Sequence, residues 1–163
     1  MRRRESGLTA FELAVTLAIM AVMASVAMPP YLKWWQKTQL RGAVSNMASD
    51  LELAKTQAIR ANANVVVEFE TGNYTLFFDL GDGEGGDPDW EQDDGDPIIL
   101  KRDLPPGVQI ETDSLSFPHE DTKTGFSGRG ISLDIITPET IPLKQGPNNR
   151  QITINRLGNI DVQ

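Results

Sequence analysis

Apolar and polar positions divide the chain into three regimes. Leu8 to Met28 reads LTAFELAVTLAIMAVMASVAM, apolar almost throughout, with Glu12 the one charged residue. Twenty-one residues at about 1.5 Å each give a helix of about 30 Å, the thickness of a bilayer core. Pro29-Pro30 should bend or locally break that helix. Beyond it Leu40, Val44, Met47, Leu51, Ala54 and Ala58 recur at spacings of four and three, an apolar stripe suited to lie on a globular domain. Lys33, Lys37, Arg41, Lys55 and Arg60 face elsewhere or the membrane surface. From Leu8 to about Asn62 the helix would be about 80 Å long if straight.

Past Asn64 the period changes to two. Residues 65–70 and 74–79 flank Thr71-Gly72-Asn73, a β-hairpin signal. Further strands are expected at 98–102, 108–112, 131–136, 151–155 and 159–162. Pro105-Pro106-Gly107, Gly128–Gly130 and Gly146-Pro147-Asn148-Asn149 separate them, and Gly125–Gly130 (GFSGRG) reads as a turn. The expected fold class is α+β, a long N-terminal helix on antiparallel β-sheets. Tyr31, Trp34 and Trp35 follow the apolar span. They suit core packing, an aromatic belt at the bilayer interface, or contacts between subunits.

Charge and composition narrow the chemistry. The 163 residues carry 15 Lys+Arg against 23 Asp+Glu, a net charge of −8, which argues against a general nucleic-acid binder. Cysteine is absent, excluding a disulfide scaffold, a Cys-ligated zinc site and a thiol nucleophile. The single histidine, His119, sits in a polar stretch (PHED). No acid/base frame or phosphate loop surrounds the many carboxylates, so no enzyme is expected.

Arg2, Arg3 and Arg4 precede the apolar span, which predicts a cytoplasmic N-terminus and an exported C-terminal portion. An ordinary secretory signal is one reading, and Ser25-Val26-Ala27 offers small residues for its cleavage. Glu12 speaks against it, because a carboxylate within an apolar segment costs about 3 kcal/mol or more. The basic leader followed by Gly7-Leu8-Thr9-Ala10-Phe11-Glu12 resembles the class III signal of type IV pilins and type II secretion pseudopilins. The resemblance implies that a prepilin peptidase cuts between Gly7 and Leu8 and methylates the new amine. It implies that Glu12, the fifth mature residue, meets the amine of a neighbouring subunit. A buried carboxylate seeks a cation in such a setting. Pro29 falls where the family commonly has a helix-kinking proline. The one departure is Leu8, where Phe is usual.

The remaining pieces resemble the minor pseudopilin H and FimT-like branch. Arg60-Ala61-Asn62, Tyr74, Leu104–Val108, Ile152-Thr153-Ile154 and Gly158 carry that likeness. The implied pilin-like organisation is a leader (1–7), a membrane and assembly helix (8–30), an amphipathic half (31–63) and a periplasmic β-rich head (64–163). The implied function is a structural subunit of a type II secretion pseudopilus or type IV pilus. It would act in filament initiation at or near the tip and in protein export. Its partners would be other pilins or pseudopilins, the prepilin peptidase and the inner-membrane assembly platform. FimT-like proteins that bind DNA use a basic C-terminal stretch. Here residues 155–163 hold one arginine and one aspartate, which argues against DNA.

One segment lies outside that likeness. Residues 79–96 (DLGDGEGGDPDWEQDDGD) hold nine acids, five glycines and no basic residue. Calcium suits flexible oxygen-rich loops, and Asp79, Asp82, Glu84, Asp87 and Asp89 are the candidate ligands. No EF-hand spacing is present, and a solvated loop is the simpler reading. No cofactor is otherwise required. Trp90 within this loop is either an exposed contact residue or tucked over the sheet. The rival function is a secreted calcium-dependent binding module released by ordinary signal cleavage.

Overall fold

The computed structural model describes residues 9–81, 89–92, 96–118, 120–133 and 135–163. One helix, α1 (Ala10–Ala61), leads the chain. Thr9 and Glu12 cap its start reciprocally. Glu12 N–H donates to Thr9 Oγ1 at 3.2 Å, and Thr9 N–H donates to Glu12 Oε2 at 2.9 Å. This capping box satisfies donors that a first helical turn leaves free. Asn62 ends the helix with φ +50. Its N–H reaches Ile59 O at 3.3 Å, while Ala63 N–H reaches back to Ala58 O at 3.2 Å. That bond pair is a Schellman stop, and Asn tolerates the left-handed conformation it needs. α1 is one uninterrupted helix through Pro29 and Pro30. The local break that two prolines predict is therefore absent, and what remains expected of Pro29 is a bend.

The chain divides into two compact units, Met1–Gln36 and Lys37–Gln163. In the first, every large apolar side chain from Phe11 to Trp35 is exposed. Tyr31, Trp34 and Trp35 are among them, so they are not core residues of this chain.

Among the described residues the second unit joins the rest of α1 to eight strands: β1 (Asn64–Phe69), β2 (Asn73–Asp79), β3 (Ile98–Asp103), β4 (Gln109–Ile110), β5 (Lys123–Phe126), β6 (Glu139–Gln145), β7 (Asn148–Ile154) and β8 (Ile160–Val162). They form two four-stranded sheets, ordered β3-β2-β1-β5 and β4-β6-β7-β8. Every pairing is antiparallel. The fold is α+β, as expected. Leu40, Val44, Met47, Leu51, Ala54 and Ala58 are all buried. They share one core with Val65, Val67, Leu76, Ile141, Leu143, Ile152 and Ile154 from both sheets.

The strands depart from expectation in several places. Among the described residues of 131–136 none lies in a strand, and Ser132 makes an isolated bridge to Phe126. The stretch 108–112 shortens to β4, followed by a 3-10 turn at Thr112–Ser114. Two strands were not expected. β5 includes Gly125 and Phe126, so the GFSGRG turn begins only after Phe126. β6 contains Pro142, which usually argues against a central strand. Pro142 lies opposite Gln151, whose N–H bonds to Gln163 O on the other side. The β6–β7 pair exchanges no bonds at that position; the missing N–H falls on the other side, where Glu111, just past the end of β4, donates to Pro142 O. The turn before β7 tightens to Gly146-Pro147, with Asn148 and Asn149 already in the strand.

Candidate functional site

Among its described residues the first unit presents an apolar surface with one carboxylate. Glu12 lies in the first turn of α1. Its Oε2 also accepts the Thr9 hydroxyl at 3.0 Å. A carboxylate at the positive end of a helix is favourably placed. The described partners of Glu12 thus belong to its own turn. Gly7 and Leu8 lie outside the described residues, and Pro29 lies within α1.

The acidic segment is organised at its ends. Asp79 closes β2 and is only 2% exposed. Its Oδ1 accepts Gly81 N–H at 3.0 Å and its Oδ2 accepts Trp90 N–H at 3.1 Å. Burial raises the Asp79 carboxyl above its ordinary value; the bonds from Trp90 and Gly81 work against that shift. Asp96 Oδ1 accepts Leu80 N–H at 3.1 Å, joining the two sides of the segment. Lys123 Nζ donates to Trp90 O at 2.8 Å and pairs with Glu120 at 2.8 Å. Trp90 adopts φ +66 and tucks over the sheet, buried with Val66 and Phe77. Nearby, Gly125 has no room for a Cβ, which would lie 2.7 Å from Leu133 Cδ1 and 3.1 Å from Val65 O.

Of the calcium candidates, Asp82, Glu84 and Asp87 lie outside the described residues. Asp89 spends Oδ1 on Glu91 N–H at 3.0 Å. Among the described residues no group of three or more acidic or histidine side chains is placed to hold a metal. His119 also lies outside the described residues.

Sequence reasoning missed a second carboxylate on α1. Asp50 is buried beside Met47, Leu51 and Ala54. Tyr74 Oη donates to its Oδ2 at 2.7 Å, Arg102 Nε donates to Oδ2 at 2.5 Å, and Arg102 Nη2 donates to Oδ1 at 3.3 Å. Burial, then the bond to Asp50, pushes the Tyr74 hydroxyl well above its usual range. The bond to Asp50 likewise raises the Arg102 guanidinium. This cluster ties α1 to β2 and β3. An acid on the edge of an apolar helical stripe was the available signal, since a buried charge needs a partner.

A family model described as "Type II transport protein GspH" matches residues 43–158. The chain belongs to the GspH family. It is therefore a structural subunit, a minor pseudopilin or minor pilin, and not an enzyme. As a GspH-family protein with one helix long and apolar enough to cross a membrane, it is a membrane-anchored subunit that works with other pilins in a filament. Solved structures share the GspH-family fold at low identity. The type IV minor pilin FimU of Pseudomonas aeruginosa aligns with TM-score 0.56 and 14% identity, over 80% of this chain and 92% of that one. The minor pseudopilin EpsH of the Vibrio cholerae type 2 secretion system aligns with TM-score 0.54 and 16% identity, over 77% and 96%. No protein with a curated description matches the sequence.

Proposed function

We propose that this subunit is made as a prepilin. The peptidase cuts between Gly7 and Leu8 and methylates the Leu8 amine. Residues 8–30 then hold it in the inner membrane with its head in the periplasm. The assembly platform extracts it into a type II secretion pseudopilus or a type IV pilus. There it acts at or near the tip in filament initiation, and through the filament in protein export.

The observation that carries this reading is Glu12, the sole charge in the apolar span Leu8–Met28. Its described bonds go only to Thr9. In hydrocarbon such a carboxylate gains from an external cation, and the methylated amine of a neighbouring subunit supplies one. N-terminal mass spectrometry of the mature protein tests the processing step. A start at methylated Leu8 is expected, whereas a start at Met28 would overturn the reading in favour of a secreted module.

Calcium binding by the acidic segment remains a separate proposal resting on composition. Calorimetric titration of the full chain tests it: heat with a melting shift supports the site, and neither would remove it.

A further inference from the structure

We propose that the concavity between α1 and the β6–β7 hairpin binds the phosphate headgroup of an anionic lipid, holding the head against the membrane surface before assembly. Lys37 and Arg41 are four residues apart and so share one helix face. Arg150, on β7 opposite Leu143, brings a third cation from far along the chain. Together with Asn148 and Asn149 they line a concavity of about 290 Å³, near the lower size of small-ligand pockets, about 300 Å³. No acidic residue lines it, in a chain whose net charge is −8.

Several other cations of this head are already engaged. Lys123 and Lys144 pair with carboxylates, Arg102 pairs with Asp50, and Lys55 donates to Gly158 O. Lys37, Arg41 and Arg150 form no ion pair among the described residues. Gathering like charges in one recess costs energy unless an anion joins them. Arg offers a planar fork suited to phosphate, and Asn amides add neutral donors.

Chain position chooses the occupant. Lys37 comes nine residues after Met28, the end of the apolar span. Exposed Tyr31, Trp34 and Trp35 lie between them, the residue types that collect at headgroup level. Basic residues beside a membrane anchor are drawn to anionic lipid, by about fivefold in affinity per Lys or Arg. The proposal rests on the reading of α1 as a membrane anchor.

The test uses the full chain in nanodiscs of phosphatidylcholine alone and of mixed phosphatidylcholine and phosphatidylglycerol. Hydrogen exchange is followed at residues 146–150. Phosphatidylglycerol should slow exchange there about fivefold or more. Arg150→Gln should abolish the slowing while exchange in β1 and β2 stays unchanged. Equal exchange in the two lipids, or slowing that survives Arg150→Gln, would overturn the proposal. Equal slowing by inorganic phosphate in phosphatidylcholine discs would overturn it in favour of a soluble anion. Equal slowing by a peptide of residues 79–96 would overturn it in favour of an acidic protein partner. Failure to enter either nanodisc refutes the anchor and the proposal with it. Insertion with lipid-independent exchange refutes the proposal alone.

Discussion

The two halves of α1 face different solvents. Between Phe11 and Trp35 every large apolar side chain is exposed. Between Leu40 and Ala58 seven apolar residues are exposed by 3% or less. A helix apolar all round requires lipid or neighbouring helices, whereas a one-sided stripe is satisfied by its own domain. The carboxylates on the two halves make the same distinction. Asp50 has its partners, Tyr74 and Arg102, within the chain. Among the described residues, Glu12 bonds within its own first turn. One acid therefore serves folding, and the other is the one proposed above to serve association.

The comparison breaks most clearly at Glu12. Glu12→Ala should stay in the membrane, yet its recovery in sheared filaments should fall more than about a hundredfold. An amine left buried without a counter-ion costs about 3–5 kcal/mol. Normal recovery would remove the distinction between the two acids.

Truncating each half of the helix comes next. Leu51→Ala should lower head stability by about 3 kcal/mol in urea unfolding, because it opens a cavity in the core. Leu17→Ala should change it by less than about 0.5 kcal/mol. Equal losses would mean that the exposed half supports the head after all.

Asp50→Ala should cost about 2–3 kcal/mol, somewhat less than a fully buried pair because Arg102 retains water. Tyr74→Phe should cost about 1 kcal/mol. A double-mutant cycle showing no coupling between them would count against a tie from α1 to β2.

The smallest effect concerns pH. The folded Asp79 carboxyl is raised above its unfolded value, chiefly by burial. Between the two values the folded state holds more protons, so stability falls as pH rises through the folded value. Relative to Asp79→Asn, the wild type should gain stability as pH is lowered through that window. A flat difference in melting temperature would show that Asp79 is not desolvated when folded.

Much of the fold was legible because periodicity reports burial directly. The helical stripe predicted the core face of α1, and alternation with a Gly-Asn turn predicted β1 and β2. The misses share a cause. β6 was hidden by Pro142, which is tolerated because its position exchanges no bonds with β7. β5 was hidden by Gly125, whose missing Cβ admits Leu133 and Val65. In both places a partner strand or side chain overrides a local preference. Glu12 was legible as a lone charge in an apolar span. Asp50 was harder to see, because its partners lie 24 and 52 residues away.

The sequence alone marked which half of α1 is apolar all round and which carries a one-sided stripe. It also marked Glu12 as costly, and so as informative. Those conclusions follow from local period and composition. Tertiary structure decided which side chains are brought together from distant positions. It tucked Trp90 over β1 and β2, engaged Asp79 with two backbone N–H groups, and closed Asp50 with Tyr74 and Arg102. It also added Arg150 to Lys37 and Arg41. Contacts of that kind depend on the register and packing of separated segments, which no local pattern encodes.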